Sequence, residues 1–251
     1  MDIKLENDEV VDDLQYKGLK IIQNNKWFKY GIDSVILSDF ARHLKDNSIV
    51  VDIGTGTGII GLLLCGKTKL KKIYGIEIQS NVAEMARKSI ALNNLEDRFE
   101  IINKDIIDIS NQEILKNNSI DYIVMNPPYK EKRTGIINEK NEKIISRHET
   151  TATLEDFIKI SSKLLRDKGT IYMVHRPERL VDIFSIMRKH KIEPKRIRLV
   201  YPSIDKEPNI VLIEGIKGAL KFLKVEKPLV IYRDNGDYTK EIKEIYNIKE
   251  G

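Results

Sequence analysis

The feature that most constrains this chain is a strand that runs into alternating glycines. Ile49-Val50-Val51-Asp52-Ile53 is an apolar stretch broken by one acid. Gly54-Thr55-Gly56-Thr57-Gly58 follows directly, ahead of the apolar run Ile59 to Cys65. A strand that is apolar throughout is buried on both faces, the habit of parallel sheets covered by helices. Three glycines let the backbone turn tightly and let a ligand approach it, while the helix that follows offers unpaired N–H groups at its N-terminus. The turn therefore predicts a nucleotide-type ligand.

The rest of the chain keeps the alternation. Strands are predicted over Lys72–Ile78, Phe99–Ile102, Ile120–Met125 and Thr170–His175, and helices over Asn81–Asn93 and Leu154–Leu165. Pro177 suits the first turn of a helix running through Met187. Ile197–Tyr201, Ile210–Ile216 and Leu229–Tyr232 are further β-rich stretches, and a short terminal helix is predicted over Tyr238–Tyr246. The fold class expected is α/β: a doubly wound, Rossmann-like sheet, mostly parallel, with a C-terminal antiparallel hairpin and helices on both faces. No linker composition interrupts residues 1–251, so one domain is expected. In an N-terminal extension, residues 1–31, Leu19–Ile22 and Trp27–Tyr30 flank Asn24-Asn25 and predict a hairpin. Asp33 is expected to cap the helix that follows.

Charge and cysteine content narrow the setting. No apolar run reaches the ~20 residues of a membrane span, and the polar, acidic N-terminus does not resemble a targeting peptide. The single cysteine, Cys65, rules out an intrachain disulfide and sits in an apolar helical stretch, where an inert buried thiol is expected. A cytoplasmic protein is the expectation. The histidines have no ligand-like spacing, so no metal is expected. Nothing in the sequence sets the oligomeric state, and a monomer is favoured. Residues 186–227 carry 11 Lys and Arg against 5 Asp and Glu, a net of +6 where the whole chain has +5. A phosphate-attracting patch and a plain solvated surface are both open readings of that segment.

The glycine turn leaves the ligand ambiguous. Gly56-Thr57-Gly58-Ile59-Ile60-Gly61 matches a dinucleotide fingerprint, and Glu77, 21 residues after Gly56, stands where a ribose-binding acid belongs. An NAD-dependent oxidoreductase would use these residues, and so would an S-adenosylmethionine enzyme. Two further acids favour the latter. Asp52 is placed to face a cofactor's amino-acid end, directly or through water, and Asp105, after the third strand, to reach an adenine amine; on its own Asp105 reads equally as a helix cap or a solvated loop acid. This layout resembles the Rossmann-like methyltransferases. That resemblance implies a cofactor cup of Asp52, Gly54, Thr55, Gly56, Gly58, Glu77, Ile78, Asp105, Ile106 and Asn126.

Asn126-Pro127-Pro128-Tyr129, at the end of the fourth strand, is the most specific string. The prolines stiffen the backbone, holding the Asn126 side chain and the Pro127 carbonyl in place. Such a pair suits an amino group conjugated to a ring or carbonyl, whose lone pair is delocalised. Accepting both N–H protons would turn the lone pair toward an electrophilic methyl, so that alignment and fixed dipoles do most of the catalysis. Tyr129 is expected to stack on the planar substrate. The motif alone leaves glutamine, guanine and adenine open, and a Pro-rich turn with a core tyrosine is its plain structural reading.

Longer strings resemble one family end to end, the bacterial tRNA1(Val) adenine-37 N6-methyltransferases. They are Asp13-Leu14-Gln15 with Lys20-Ile21-Ile22-Gln23, Gly31-Ile32-Asp33-Ser34-Val35-Ile36-Leu37, Asn126-Pro127-Pro128-Tyr129, Arg147-His148-Glu149, His175-Arg176-Pro177-Glu178-Arg179-Leu180 and Leu212-Ile213-Glu214-Gly215-Ile216-Lys217. The resemblance implies that Gly31 and Asp33 line the cofactor's methionine side. It also implies that Asn126, Pro127, Pro128 and Tyr129 hold an adenine, and that the substrate is a tRNA. Release-factor glutamine methyltransferases carry a helical domain ahead of a similar core, and DNA adenine methyltransferases usually add a recognition domain. With about 50 residues ahead of Asp52, neither addition is expected here. The polar segment 130–150, with six Lys/Arg and four Glu, is expected to be a mobile substrate loop in which Arg147 and His148 touch substrate or phosphate; a solvated loop pair is the alternative. A non-catalytic RNA-binding protein that keeps the fold is a third reading, one that would predict decay of the cup residues.

Overall fold

The computed structural model describes residues 3–26, 30–111, 114–129 and 152–248. It opens with an antiparallel hairpin of β1 (Glu9–Asp13) and β2 (Lys20–Asn24). Among the described residues the partner of β2 lies upstream, whereas Asn24-Asn25 suggests one downstream. Reversal occurs between Asp13 and Lys20, where Gln15, Lys17 and Gly18 take left-handed φ values of 53°, 51° and 73°. Residues 27–29 lie outside the described residues. Ile21 and Ile22 are fully buried, and the Ile22 N–H donates to Ser89 Oγ at 2.9 Å, docking the hairpin on the main body.

The main sheet contains β3 (Ile49–Ile53), β4 (Lys72–Glu77), β5 (Phe99–Asn103), β6 (Ile120–Met125), β7 (Leu165–His175), β8 (Ile192–Tyr201) and β9 (Ile210–Lys217), with two short strands, β10 (Lys224–Val225) and β11 (Leu229–Val230). Their order is β5-β4-β3-β6-β7-β9-β8-β10, with β11 also beside β8. Strands β3 to β7 run parallel, whereas β9 is antiparallel to both β7 and β8. This is the mostly parallel sheet with a C-terminal antiparallel pair that the sequence predicts.

Period two along each strand divides the core. Tyr122 and Val124 face one cluster and Ile123 and Met125 the other; Val50 and Val51 divide likewise. The first cluster is closed by α1 (Ile32–Phe40), α2 (Ile59–Lys67), α3 (Ser80–Leu92) and α7 (Lys240–Ile245), the second by α4 (Ile106–Asn111), α5 (Leu154–Leu164) and α6 (Leu180–Lys189). The helix expected from Pro177 begins as a 3₁₀ turn, Pro177–Arg179, before α6. Helix α2 is buried from Ile59 to Cys65, and burial pushes the Cys65 thiol up to about 11, which leaves it protonated and unreactive. Gly61 fits here because a Cβ would fall 2.3 Å from the Phe99 ring. The third glycine of the dinucleotide-like string thus serves helix–strand packing and carries no information about the ligand. Among the described residues no helix is long and apolar enough to cross a membrane.

From β3 the chain winds out through β4 and β5, then returns to lay β6 and β7 on the other side of β3. A crevice opens at such a reversal, outside the carboxyl ends of the strands.

Candidate active site

That crevice is a cleft of about 200 Å³ between the carboxyl ends of β3, β4 and β6. Gly54, Thr55, Gly56 and Thr57 form one wall; Glu77, Ile78 and Gln79 the next; Asn126, Pro127 and Pro128 a third. Tyr30, Gly31 and Ser34 approach from the start of α1, and the apolar floor includes Ile76, Val82, Met85, Ile106 and Phe157. A polar rim over an apolar floor is what an amphipathic nucleoside ligand needs.

The glycine turn is built as its composition requires. Gly54, Gly56 and Gly58 have φ of 69°, 58° and 88°, the left-handed region that a side chain disfavours. Glu77, only 6% exposed at the end of β4, ties the turn to the neighbouring loop. Its Oε2 accepts the Gly56 N–H at 3.0 Å and its Oε1 the Gln79 N–H at 2.9 Å. The carboxylate is thus held rigidly at the cleft wall. Gly31 is different. Its φ of −95° suits any residue, and a Cβ there would meet nothing nearer than Asp33 Oδ1 at 3.8 Å. The protein itself does not require glycine at this position; the space is open to a ligand.

Asp52 does not line the cleft, contrary to expectation. It is fully buried beneath the turn, where its Oδ2 accepts from Thr55 Oγ1 at 2.7 Å. Its Oδ1 has no hydrogen-bond partner among the described residues. Burial, aided by the charge of Glu77 and opposed by the Thr55 bond, raises its pKa to about 7. The reason is geometric: Asp52 alternates with Val51 and Ile53, so it points toward α2, and the turn closes over it. Asp52 therefore holds Thr55, which does line the cleft. Because the folded-state value lies above the ordinary carboxylate value, Asp52 leaves stability intact below about pH 4 and withdraws it as pH climbs to about 7. Thermal melts of wild type and Asp52→Asn between pH 4.5 and 8 should show the wild type losing ground steadily to the variant. A constant difference across that range would mean that Asp52 does not titrate there.

The Asn-Pro-Pro-Tyr motif sits at the cleft, with its tyrosine turned aside. Asn126 Nδ2 faces Ser34 Oγ at 3.4 Å, and Asn126 Oδ1 lies 2.9 Å from the Tyr129 hydroxyl. That hydroxyl is also 2.7 Å from Asp33 Oδ2. Since one phenolic proton faces two acceptors, the shorter bond to the charged carboxylate takes it. Asp33 is neither a helix cap, a place held by Gly31, nor part of the cleft lining; it anchors Tyr129. The Tyr129 ring packs against His175, with centroids 5.2 Å apart, and lies beneath the Arg176 guanidinium at 4.9 Å. His175, buried at the end of β7, accepts the Arg176 N–H on Nδ1 at 2.8 Å. Burial, then the charge of Arg179, lowers its pKa to about 4, so the ring is neutral near pH 7 and forms a wall for Tyr129.

Of the other expected site residues, Gly58 is the left-handed N-cap of α2, behind the lining. Asp105 accepts the Ile107 N–H on Oδ1 at 2.9 Å, capping α4, while its neighbours Lys104 and Ile106 line the cleft. Arg147, His148 and the loop 130–150 lie outside the described residues. Part of the basic run 186–227 is ion-paired. Arg188 pairs with Glu193, Lys189 with Glu155, Arg196 with Glu214 and Glu226, and Arg198 with Glu241. Tyr30, Ser34, Gln79 and Phe157 line the cleft without having been foreseen. Ser34 stands one turn into an apolar helix and Phe157 has the spacing of a core residue, so neither carried a separate signal. Among the described residues no group of acids, histidines and cysteine is arranged to hold a metal ion.

Residues 32–190 match the family model described as methyltransferase small domain. The chain is 32% identical over 206 residues to the tRNA1(Val) (adenine(37)-N6)-methyltransferase of Porphyromonas gingivalis (strain ATCC 33277), covering 81% of this chain and 80% of that protein. Among solved structures it is similar in fold to a predicted O-methyltransferase, Atu636, from Agrobacterium tumefaciens, with a TM-score of 0.68 at 20% identity over 86% of this chain and 95% of that one. M. jannaschii TYW2, solved in complex with AdoMet, has a TM-score of 0.58 at 15% identity, covering 85% of this chain and 87% of that one. At these identities the structural likenesses speak for the fold alone.

Proposed function

The chain belongs to the methyltransferase small-domain family and, within it, to the tRNA1(Val) (adenine(37)-N6)-methyltransferases, and from that premise we propose that its cleft binds S-adenosylmethionine and presents to it the N6 amine of a tRNA adenine, probed best as adenine 37. The observation that carries this reading is the convergence of the glycine turn, Glu77 and Asn126-Pro127-Pro128 on one cleft. An oxidoreductase would leave the last of these without a role.

The residues present fit the cofactor. Left-handed glycines and the open space at Gly31 let a ligand lie close to the backbone, Glu77 offers a carboxylate to a ribose diol, and Ile76, Ile106 and Met85 form an apolar bed. When bound, S-adenosylmethionine supplies an electrophilic methyl on a sulfonium. The chain's own part is to position the amine. Asn126 Oδ1 and the Pro127 carbonyl accept its two N–H protons, which turns the lone pair out of conjugation. For Oδ1 to do so, Tyr129 gives its hydroxyl bond wholly to Asp33 or swings out to stack on the adenine. His175, with Nδ1 taken by the Arg176 N–H and its basicity lowered by burial, is a weak base, and the proton that the methylated nitrogen gives up passes to solvent.

The test is incubation with methyl-labelled S-adenosylmethionine and tRNA from a strain lacking this protein, with the labelled nucleoside mapped. N6-methyladenine beside the anticodon is expected. Label in guanine or in protein glutamine would refute the adenine assignment, and calorimetric binding of NAD in place of S-adenosylhomocysteine would refute the cofactor.

A further inference from the structure

The active-site end of the sheet carries a second ordered feature. Tyr232, Tyr238 and Tyr246 stack in file, with ring centroids 5.3 and 5.6 Å apart and planes inclined by 17° and 10°. Their position follows from the strands. Both β7 and β8 are antiparallel to β9, so β8 ends on the same side as β7. Strand β11 runs beside Val200 and Tyr201 at that end, and the N–H groups of Ile231 and Tyr232 donate to the Tyr201 and Pro202 carbonyls, both at 2.9 Å. The two inner rungs, Tyr238 and Tyr246, pack on the same core as Tyr30, which lines the cleft. Burial first, then the charges of Tyr238, Tyr30, Tyr232 and Asp33, raises the Tyr246 phenol above its ordinary range, placing the inner end of the file within electrostatic reach of the site.

The inner rungs are packed on the core, whereas the outer one, stacked on Tyr238 and hydrogen-bonded to it, stays partly open. Tyr232 is 42% exposed and leads into an exposed polar turn, residues 233–237. A protein partner would need an apolar surround, which that turn does not offer. An unpaired base needs only an aromatic face to continue the stack, and every base has one.

Resting on the reading that the substrate is tRNA, we propose that the Tyr232–Tyr238–Tyr246 file is a stacking platform for an unpaired RNA base near the one methylated, with Tyr232 carrying it. Arg233, adjacent and exposed, can meet the accompanying phosphate.

Anisotropy titration of the full chain with a fluorescent anticodon stem-loop tests this in Tyr232→Ala, Tyr232→Leu and Tyr232→Phe. Alanine and leucine should each weaken binding by about tenfold, and phenylalanine should restore it. Melting temperature and S-adenosylhomocysteine affinity should stay at wild-type values in all three. Wild-type affinity in Tyr232→Ala would overturn the proposal, as would equal losses in the alanine and phenylalanine variants, which would assign the effect to the hydroxyl. A wild-type dimer that Tyr232→Ala dissolves with RNA binding unchanged would give the face to self-association instead. If the wild type methylates the stem-loop while Tyr232→Ala equals it, only the platform fails; if the wild type neither binds nor methylates it, the tRNA reading fails and takes the platform with it.

Discussion

Asn126→Ala is expected to bind S-adenosylhomocysteine much as the wild type does and to transfer methyl about 10²- to 10³-fold more slowly, the usual loss when one fixed dipole is removed from a transition state. The amine of adenine is a poor nucleophile while its lone pair is shared with the ring. What activates it is the pair of acceptors that hold its protons, and Asn126 Oδ1 is one of them. The variant also loses the 3.4 Å contact to Ser34 and the 2.9 Å contact to Tyr129. Thermal melts are therefore needed beside single-turnover rates. A folded variant with wild-type single-turnover rates would refute the role given to Asn126.

Glu77→Ala should act on the other substrate. The carboxylate holds Gly56 and Gln79 by their N–H groups and, among the described residues, is the one buried acid lining the cleft wall. Losing a charged hydrogen bond to a ribose, about 1.5–3 kcal/mol, predicts a fall in S-adenosylhomocysteine affinity of about 10- to 100-fold by calorimetry. Glu77→Gln keeps the size and one acceptor and should fall between. Because the charge of Glu77 helps raise the Asp52 pKa, either variant should also move the Asp52 titration to lower pH. Undiminished affinity in Glu77→Ala would confine the residue to holding the turn.

Much of this was legible in local pattern. The apolar run into Gly54-Thr55-Gly56-Thr57-Gly58 predicts a buried parallel strand and a ligand turn, and both are present, with all three glycines left-handed. Asn126-Pro127-Pro128 stands at a strand end and at the cleft, as its stiff backbone implies. The misreadings share one cause, dependence on distant partners. Strand β2 pairs with β1 and docks through Ile22 on Val82, Met85 and Ser89 of α3, a contact no nearby residue signals. The basic run 186–227, whose two readings the sequence leaves open, lends Lys189 to Glu155 and Arg198 to Glu241, acids outside the segment; its pairs with Glu193, Glu214 and Glu226 are internal and already part of its net charge.

The glycine turn and the Asn-Pro-Pro-Tyr string were set by the sequence itself, since backbone stiffness and φ preference act over a few residues. Tertiary structure alone decided where the side chains around them point. Asp52 lies under the turn because the closing loop covers that face of β3, and Asp33 reaches across 96 residues to hold Tyr129. Spacing can bring an acid to the end of a strand. Whether it meets ligand, backbone or another side chain depends on what the fold lays over it.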